Sequence, residues 1–399
     1  MSTTPQVLRF GIAGLGTAGS ALIPSIVKNP SFALGAAADL DSESLERLKA
    51  DFPDAEIFQS VEATASSDAV DVLFIATPTQ HHTSHVLAGL NAGKHVVTEK
   101  PIATNLEDAD RMIEAADKAG VVLMVGHSFG YETPIQEMRR IVAGGELGPL
   151  TMMHNWYYTD WLYRPRNPEE LDTSLGGGVT FRQGSHQFDI MRFIGGGLVR
   201  SVRAVTGRWD ASRPTEGAHT VFLEFENGVA ATAVYSGYDR FHSAELTFPV
   251  AENGRNLDLS SYGAARKALT QALANGSEAD LKRGARYGSS RSRGVSTDPA
   301  PNHPFYGVTI VSCERGDIRQ SPDGLLVYGP NEKREVQFPK GVTGRDNILT
   351  ELHDAVTNNK TPLHDGRWGK ANLEVCLAAL QSARERREIT LSHQRSIAM

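Results

Sequence analysis

Short apolar runs at 8–13, 32–38, 71–76, 95–98 and 121–125 punctuate the first third of the chain, separated by stretches whose apolar residues recur at helical spacing. A run that is apolar throughout reads as a strand buried on both faces, and strands alternating with helices predict a parallel, doubly wound sheet. Asn105-Leu106-Glu107-Asp108 supplies a cap and an acidic first turn for one of these helices, and Gly120 ends it. The pattern changes after residue 130. A helix from Pro134 to the Gly144-Gly145 pair leads into a long strand at 150–158, then into alternating segments at 220–225, 229–236, 245–248, 308–313, 324–328 and 334–338. Such a run predicts a large, mainly antiparallel sheet with one face on helices and the other open to a partner subunit. Glu226-Asn227-Gly228 joins two of the strands, and its Asn-Gly pair predicts a type I′ turn. Residues 252–302 interrupt the sheet, and 283–293 are too rich in glycine, serine and arginine for a core element. Apolar-faced helices at 347–356 and 369–384 close the second core. The expected architecture is α/β: a doubly wound domain over 1–130, then an α+β domain with an open-faced sheet over 131–399.

Composition narrows the class. The 399 residues, 40% hydrophobic and 22% charged, exceed what one core supports. A net charge of −7 argues against nucleic acid as a partner. No run of 18 apolar residues and no basic-then-apolar leader over 1–9 signals a membrane or export. Cys313 and Cys376 stand far apart and fit neither a zinc nor a redox spacing, so a reducing, cytoplasmic setting is expected.

The first apolar run feeds Gly14-Leu15-Gly16-Thr17-Ala18-Gly19 and then a helix. In a G-x-G-x-x-G loop the first glycine makes the turn, the second admits a pyrophosphate, and the third lets helix and strand pack closely. Asp39 ends the second run, twenty positions beyond Gly19, where a dinucleotide fold places the acid that accepts from the adenosine ribose. An acid there repels a 2′-phosphate, and Leu40 follows it where an arginine would receive one, so NAD is expected over NADP. The fourth run ends in Glu99-Lys100-Pro101; ligands bind at the carboxyl ends of parallel strands, so Lys100 is placed to meet cofactor and substrate. His81, His82 and His85 have helical spacing but no acidic or sulfur partner nearby, and no metal is expected.

In the second half, Gly176-Gly177-Gly178 precedes Phe181-Arg182-Gln183-Gly184-Ser185-His186-Gln187-Phe188-Asp189. The glycines suit close backbone approach to a ligand, and His186 is a natural base for a hydroxyl proton. Asp189 shares a helical face with His186 and could set its tautomer. Upstream, Asp160-Trp161-Leu162-Tyr163-Arg164-Pro165-Arg166 sets two arginines among aromatics.

The glycine loop with Asp39, the Ala76-Thr77-Pro78-Thr79-Gln80-His81-His82 segment and Glu99-Lys100-Pro101 together resemble the Gfo/Idh/MocA oxidoreductases, and the likeness extends into the second half. It implies NAD bound by Gly14, Gly16, Thr17, Ala18, Gly19, Asp39, Leu40, Thr77, Pro78, His82, Glu99 and Lys100, with a cis bond between Lys100 and Pro101. It also implies that Lys100 touches the nicotinamide ribose and the substrate hydroxyl. Arg182 stands where that family usually has an aspartate, and a guanidinium suits a substrate that brings its own carboxylate. This version of the motifs is similar to the branch acting on phthalate cis-4,5-dihydrodiol. The expectation is an NAD-dependent dehydrogenase of an aromatic dicarboxylate dihydrodiol, with Lys100 and His186 catalytic, Arg164, Arg166, Arg182 and Asp189 binding substrate, and copies joined as a homodimer or homotetramer through the second sheet. A sugar, glycoside or cyclitol dehydrogenase is the alternative, and a non-catalytic NAD-sensing regulator is the second.

Overall fold

The computed structural model describes residues 7–276, 278–284, 286–289 and 299–397. The chain groups into two compact units: Met1–Gly126 with Ala279–Asp298 and Arg345–Lys370 form the first, and the remainder forms the second. The expected second domain, unbroken from 131, therefore differs at two segments, 279–298 and 345–370, which cluster with the first unit.

In the first unit, β1 (Leu8–Ala13), β2 (Phe32–Ala38), β3 (Glu56–Phe58), β4 (Val72–Ile75), β5 (His95–Thr98) and β6 (Leu123–Val125) form a sheet in the order β3-β2-β1-β4-β5-β6, parallel throughout. β4 and β6 are wholly buried, as their unbroken apolar runs require. The strand order reverses between β1 and β4, and the carboxyl ends on either side of such a switch point are where an open α/β sheet binds its ligand. The glycine loop follows β1, Asp39 follows β2, Thr77-Pro78 follows β4 and Lys100 follows β5. The helix after β2, Ser42–Asp51, is capped by Asp41, whose side chain accepts from Ser44 N. Asp39 is thereby left to face the glycine loop.

In the second unit nine strands form one sheet: β7 (Leu150–Tyr158), β8 (Val199–Gly207), β9 (Ala218–Phe225), β10 (Ala230–Ser236), β11 (Val308–Cys313), β12 (Gly316–Ser321), β13 (Gly324–Tyr328), β14 (Lys333–Gln337) and β15 (Ile389–Thr390). Their order is β14-β13-β12-β11-β7-β10-β9-β8-β15, and every pair is antiparallel except β10 with β7. One face takes the helix Ser185–Gly195, which is buried all round except at its last residue. Gln187 Nε2 on that helix donates to Asn155 Oδ1 of β7 at 2.5 Å and to Val234 O of β10 at 3.0 Å.

Two local expectations are corrected. The β9–β10 turn has positive φ only at Gly228, with Gly228 N donating to Phe225 O and Phe225 N to Val229 O. That is a type I turn with a glycine bulge, not type I′, because Asn227 is not left-handed. Residues 243–246 form a 3-10 turn entered through the His242 side chain, where a strand was expected at 245–248. The insertion carries helices at Ala264–Ala274 and Glu278–Arg283, while much of the arginine-rich run, Ala285 and 290–293, lies outside the described residues.

Candidate active site

The three glycines of the first loop differ in what a side chain would meet. Gly14 has φ +98° and an added Cβ would sit 2.7 Å from Ala76 O; at Gly19 a Cβ would collide with the Gly14 carbonyl oxygen; at Gly16 nothing lies within 4 Å. Two glycines are therefore required by the chain's own packing, and the third opens onto space at the helix N-terminus, where a pyrophosphate is received. Asp39 Oδ2 accepts from Leu15 N at 2.6 Å, and Oδ1 accepts from Asp41 N at 2.9 Å and from Arg286 at 3.0 Å. The loop backbone thus holds the acid in place. Thr17 and Leu40 are exposed and Ala18 half-buried. These residues fit a dinucleotide.

The two loops on the other side of the switch point are tied together by a buried histidine. His82 Nδ1 lies 2.9 Å from Pro101 O and Nε2 2.9 Å from Thr77 O. His82 is only 1% exposed, so its part is to fix the Thr77-Pro78 loop against the Lys100–Pro101 bend rather than to meet a cofactor. Thr77 Oγ1 bonds His85 Nδ1 at 2.9 Å. The Lys100–Pro101 bond is cis, Lys100 and Glu99 are half-buried, and Lys100 N lies 3.3 Å from Glu99 Oε2. Gln80 Oε1, in the same loop as Thr77 and Pro78, is buried without a hydrogen-bond partner. Among the described residues no group of three His, Cys, Asp or Glu could hold a metal.

In the second unit Thr180–Gly184 winds as a π-helix that runs directly into the helix carrying His186. Such wide turns place side chains off the regular α-helical rows and recur at functional sites. His186 packs edge-on to Phe129, ring centroids 4.8 Å apart, and to Tyr306 at 5.1 Å, with Tyr157 4.8 Å beyond Tyr306. Tyr306 donates to Gln183 O at 2.9 Å, and burial pushes its phenol well up, keeping it a neutral donor.

The arginines divide into two groups. Arg164 donates to Asp160 at 2.7 Å, to Glu252 at 2.7 Å and to Thr159 Oγ1 at 3.2 Å. Burial opposes the charges of Glu252 and Arg164, but their mutual attraction outweighs it: Glu252 lies below and Arg164 well above the usual range. That makes Arg164 a counter-ion to two acids. Arg166 stacks on Trp161, its guanidinium carbon 3.9 Å from the ring centroid, donates to Trp161 O at 2.9 Å and pairs with Glu170 at 3.2 Å. Burial lowers Arg166 to about 10, against the pull of Glu170, so it stays cationic at neutral pH. Arg182 meets the same carboxylate at 3.3 Å, and its side chain is 27% exposed against 9% for Arg166 and 6% for Glu170. Arg182 is thus the more accessible of the two cations on Glu170, while Arg164, on its own two acids, is 36% exposed.

Two expectations for this half change. Asp189 is wholly buried and lies in the field of Arg192, so it is a buried charge partner and does not reach a substrate. The glycine run serves the protein's own packing: a Cβ at Gly177 would press on Glu169 O and Asp172 O, and one at Gly178, φ +80°, on the Glu216 carboxylate. Glu216 accepts from Thr173 Oγ1 at 2.6 Å and Thr180 N at 3.2 Å, pinning the π-helix at its start. Sequence reasoning missed Phe129, Glu170, Glu216, Glu252 and Tyr306. Only Glu170 carries a local signal, the i, i+4 spacing from Arg166 and the box it forms with Asn167.

Residues 8–127 match the oxidoreductase family described as having an NAD-binding Rossmann fold, and 135–251 match the GFO/IDH/MocA C-terminal domain. The chain belongs to the Gfo/Idh/MocA family. It is an NAD-type oxidoreductase by that membership. The 1-carboxy-3-chloro-3,4-dihydroxycyclohexa-1,5-diene dehydrogenase of Comamonas testosteroni is 39% identical over 94% of this chain and 95% of its own. A structure from Bordetella bronchiseptica RB50, described as a dehydrogenase, is 40% identical with a TM-score of 0.91, covering 97% of this chain and 100% of its own. The NADP-dependent scyllo-inositol 2-dehydrogenase IolW of Bacillus subtilis strain 168 is 28% identical over 58% of this chain and 63% of its own. Lys100 belongs to the first unit of this Gfo/Idh/MocA protein, and His186 with the three arginines to the second.

Proposed function

We propose that this protein dehydrogenates a ring-carboxylated cis-dihydrodiol, converting phthalate cis-4,5-dihydrodiol to 4,5-dihydroxyphthalate. The observation that carries the reading is Arg182: a partly exposed guanidinium on the π-helix that leads into His186, where the sugar-acting pattern has an acid. The Comamonas relative, named for a carboxylated dihydroxycyclohexadiene, supports a substrate of this kind. NAD supplies, when bound, the acceptor for the hydrogen and electron pair leaving the ring carbon. Lys100 polarises the hydroxyl oxygen, and Lys100 or His186 takes its proton as general base. Arg182 grips a ring carboxylate through paired hydrogen bonds, with Arg166 held behind it by Glu170. Phe129 and Tyr306 give His186 flat apolar neighbours suited to a planar ring. The ketone formed tautomerises to the catechol, and aromatisation drives the overall reaction forward.

The first unit serves as the cofactor domain and the second as the substrate and oligomerisation domain. Met152, Trp156, Val205 and Phe222 are exposed on the sheet of the second unit, and copies of the chain associate through it. Both cysteines are buried and neither is in a disulfide, which suits a cytoplasmic enzyme; no helix among the described residues is long and apolar enough to cross a membrane. Incubation with NAD and phthalate cis-4,5-dihydrodiol, followed by mass spectrometry, is expected to yield 4,5-dihydroxyphthalate together with NADH. Unchanged diol beside a turnover of myo-inositol or a glucoside would reject the reading.

A further inference from the structure

Asp39 alone repels a 2′-phosphate, yet in the folded first unit it does not stand alone. Arg286, from the insertion that breaks the second sheet's sequence, lies 3.0 Å from Asp39 Oδ1, its side chain 36% exposed and that of Asp39 9%. The next residue anchors this placement twice. Tyr287 N donates to Leu15 O at 3.0 Å, and Tyr287 Oη donates to Asp51 Oδ2 at 2.6 Å. Leu15 therefore holds Asp39 through its N–H and the arginine segment through its carbonyl. Gly288 passes so close to Arg47 that a Cβ there would strike that side chain, which fixes the segment against the helix after β2.

The hydrogen-bond count at Asp39 points the same way. A carboxylate offers about four lone-pair sites, and Leu15 N, Asp41 N and Arg286 each take one. A ribose that presents two hydroxyls finds too few acceptors on Asp39, but finds a guanidinium beside it whose remaining N–H groups can donate to whatever the 2′-carbon carries. The ion pair also removes the net negative charge that would exclude a phosphate.

We propose that Arg286 is a second determinant of cofactor choice: paired with Asp39, it forms a subsite for the 2′-substituent of the adenosine ribose and lets the protein bind NADP as well as NAD. The inference rests on the dinucleotide cradle and not on the dihydrodiol reading, so binding measured without any substrate tests it separately.

Calorimetric titration of the full-length protein with NAD and with NADP is expected to give dissociation constants within about tenfold of each other. Arg286→Ala is expected to weaken NADP by about tenfold or more, the loss of one charge-assisted phosphate contact, and NAD by less than about threefold, with Arg286→Lys retaining part of the NADP affinity. ADP-ribose and its 2′-phosphate, which lack the nicotinamide, should reproduce the ratio, and melting temperatures check that the variants fold. Wild-type protein binding NADP more than about a hundredfold more weakly than NAD, or an Arg286→Ala variant with the same ratio as wild type, would overturn the proposal.

Discussion

Replacing Arg182 by alanine removes the guanidinium assigned to a ring carboxylate. A hydrogen bond between ionised groups contributes about 1.5–3 kcal/mol, and partial exposure to water argues for the lower half of that range, about 1.5–2 kcal/mol. At 1.4 kcal/mol per factor of ten, KM for phthalate cis-4,5-dihydrodiol is expected to rise about ten- to thirtyfold. The carboxylate is remote from the reacting carbon and is bound alike before and during the reaction, so kcat should stay within about threefold. Glu170 retains Arg166 at 3.2 Å and Asn167 N at 2.8 Å, so the fold should tolerate the change, which a melting curve checks. Steady-state NADH formation reads the effect, with a carboxyl-free cis-dihydrodiol as the control whose constants should not move. Arg182→Lys keeps the charge but loses the planar fork, and an intermediate KM is expected. An unchanged KM for the diacid, or an equal loss with the carboxyl-free diol, would refute the anchor.

Gly16→Ala meets no atom of the protein, so it should melt as wild type yet weaken NAD by about tenfold or more, one methyl intruding on the pyrophosphate path; Gly19→Ala should instead lower the melting temperature, because its Cβ strikes Gly14 O. Calorimetry and thermal melts separate the two, and equal behaviour would contradict the assigned roles. His219, pushed down to about 3 by burial from 6.5, stays neutral in the fold while the unfolded chain takes up a proton. Its stabilising contribution is therefore whole above pH 6.5 and lost as pH falls towards 3, on the order of 2 kcal/mol between pH 7 and 5. Urea unfolding at both pH values should show a smaller drop for His219→Gln than for wild type, and identical drops would disprove the assignment. Trp156→Glu with Phe222→Glu puts charge on the exposed sheet face, and light scattering should find smaller particles than for wild type; an unchanged mass would place the subunit contact elsewhere.

The cofactor half was readable because its demands are local. A tight turn, an open approach and a close helix contact each exclude side chains at one position, so Gly14, Gly16 and Gly19 announce themselves, and Asp39 follows at a distance set by one strand–helix–strand unit. The same logic misled at Gly177 and Gly178, where the crowding comes from Glu216 and the 169–172 turn and not from a ligand. Strand β12 was missed because it offers one apolar residue, Ile318, among polar ones. Partners distant in sequence left no pattern: Glu252 is 88 residues from Arg164, Tyr306 is 123 from Gln183, and Arg286 is 247 from Asp39. An arginine motif shows that cations are present. Only the fold shows that Arg164 pairs with two carboxylates while Arg166 and Arg182 share a single one.

The most direct measurement is a comparison of kcat/KM, with NAD saturating, for phthalate cis-4,5-dihydrodiol, its carboxyl-free counterpart, myo-inositol and a simple glucoside. The carboxylated diol should lead the others by about tenfold or more, the separation that one carboxylate–guanidinium contact supplies. A cyclitol or sugar turned over faster than the diacid, or a carboxyl-free diol that matches it, would contradict the claim that this site recognises an anionic ring.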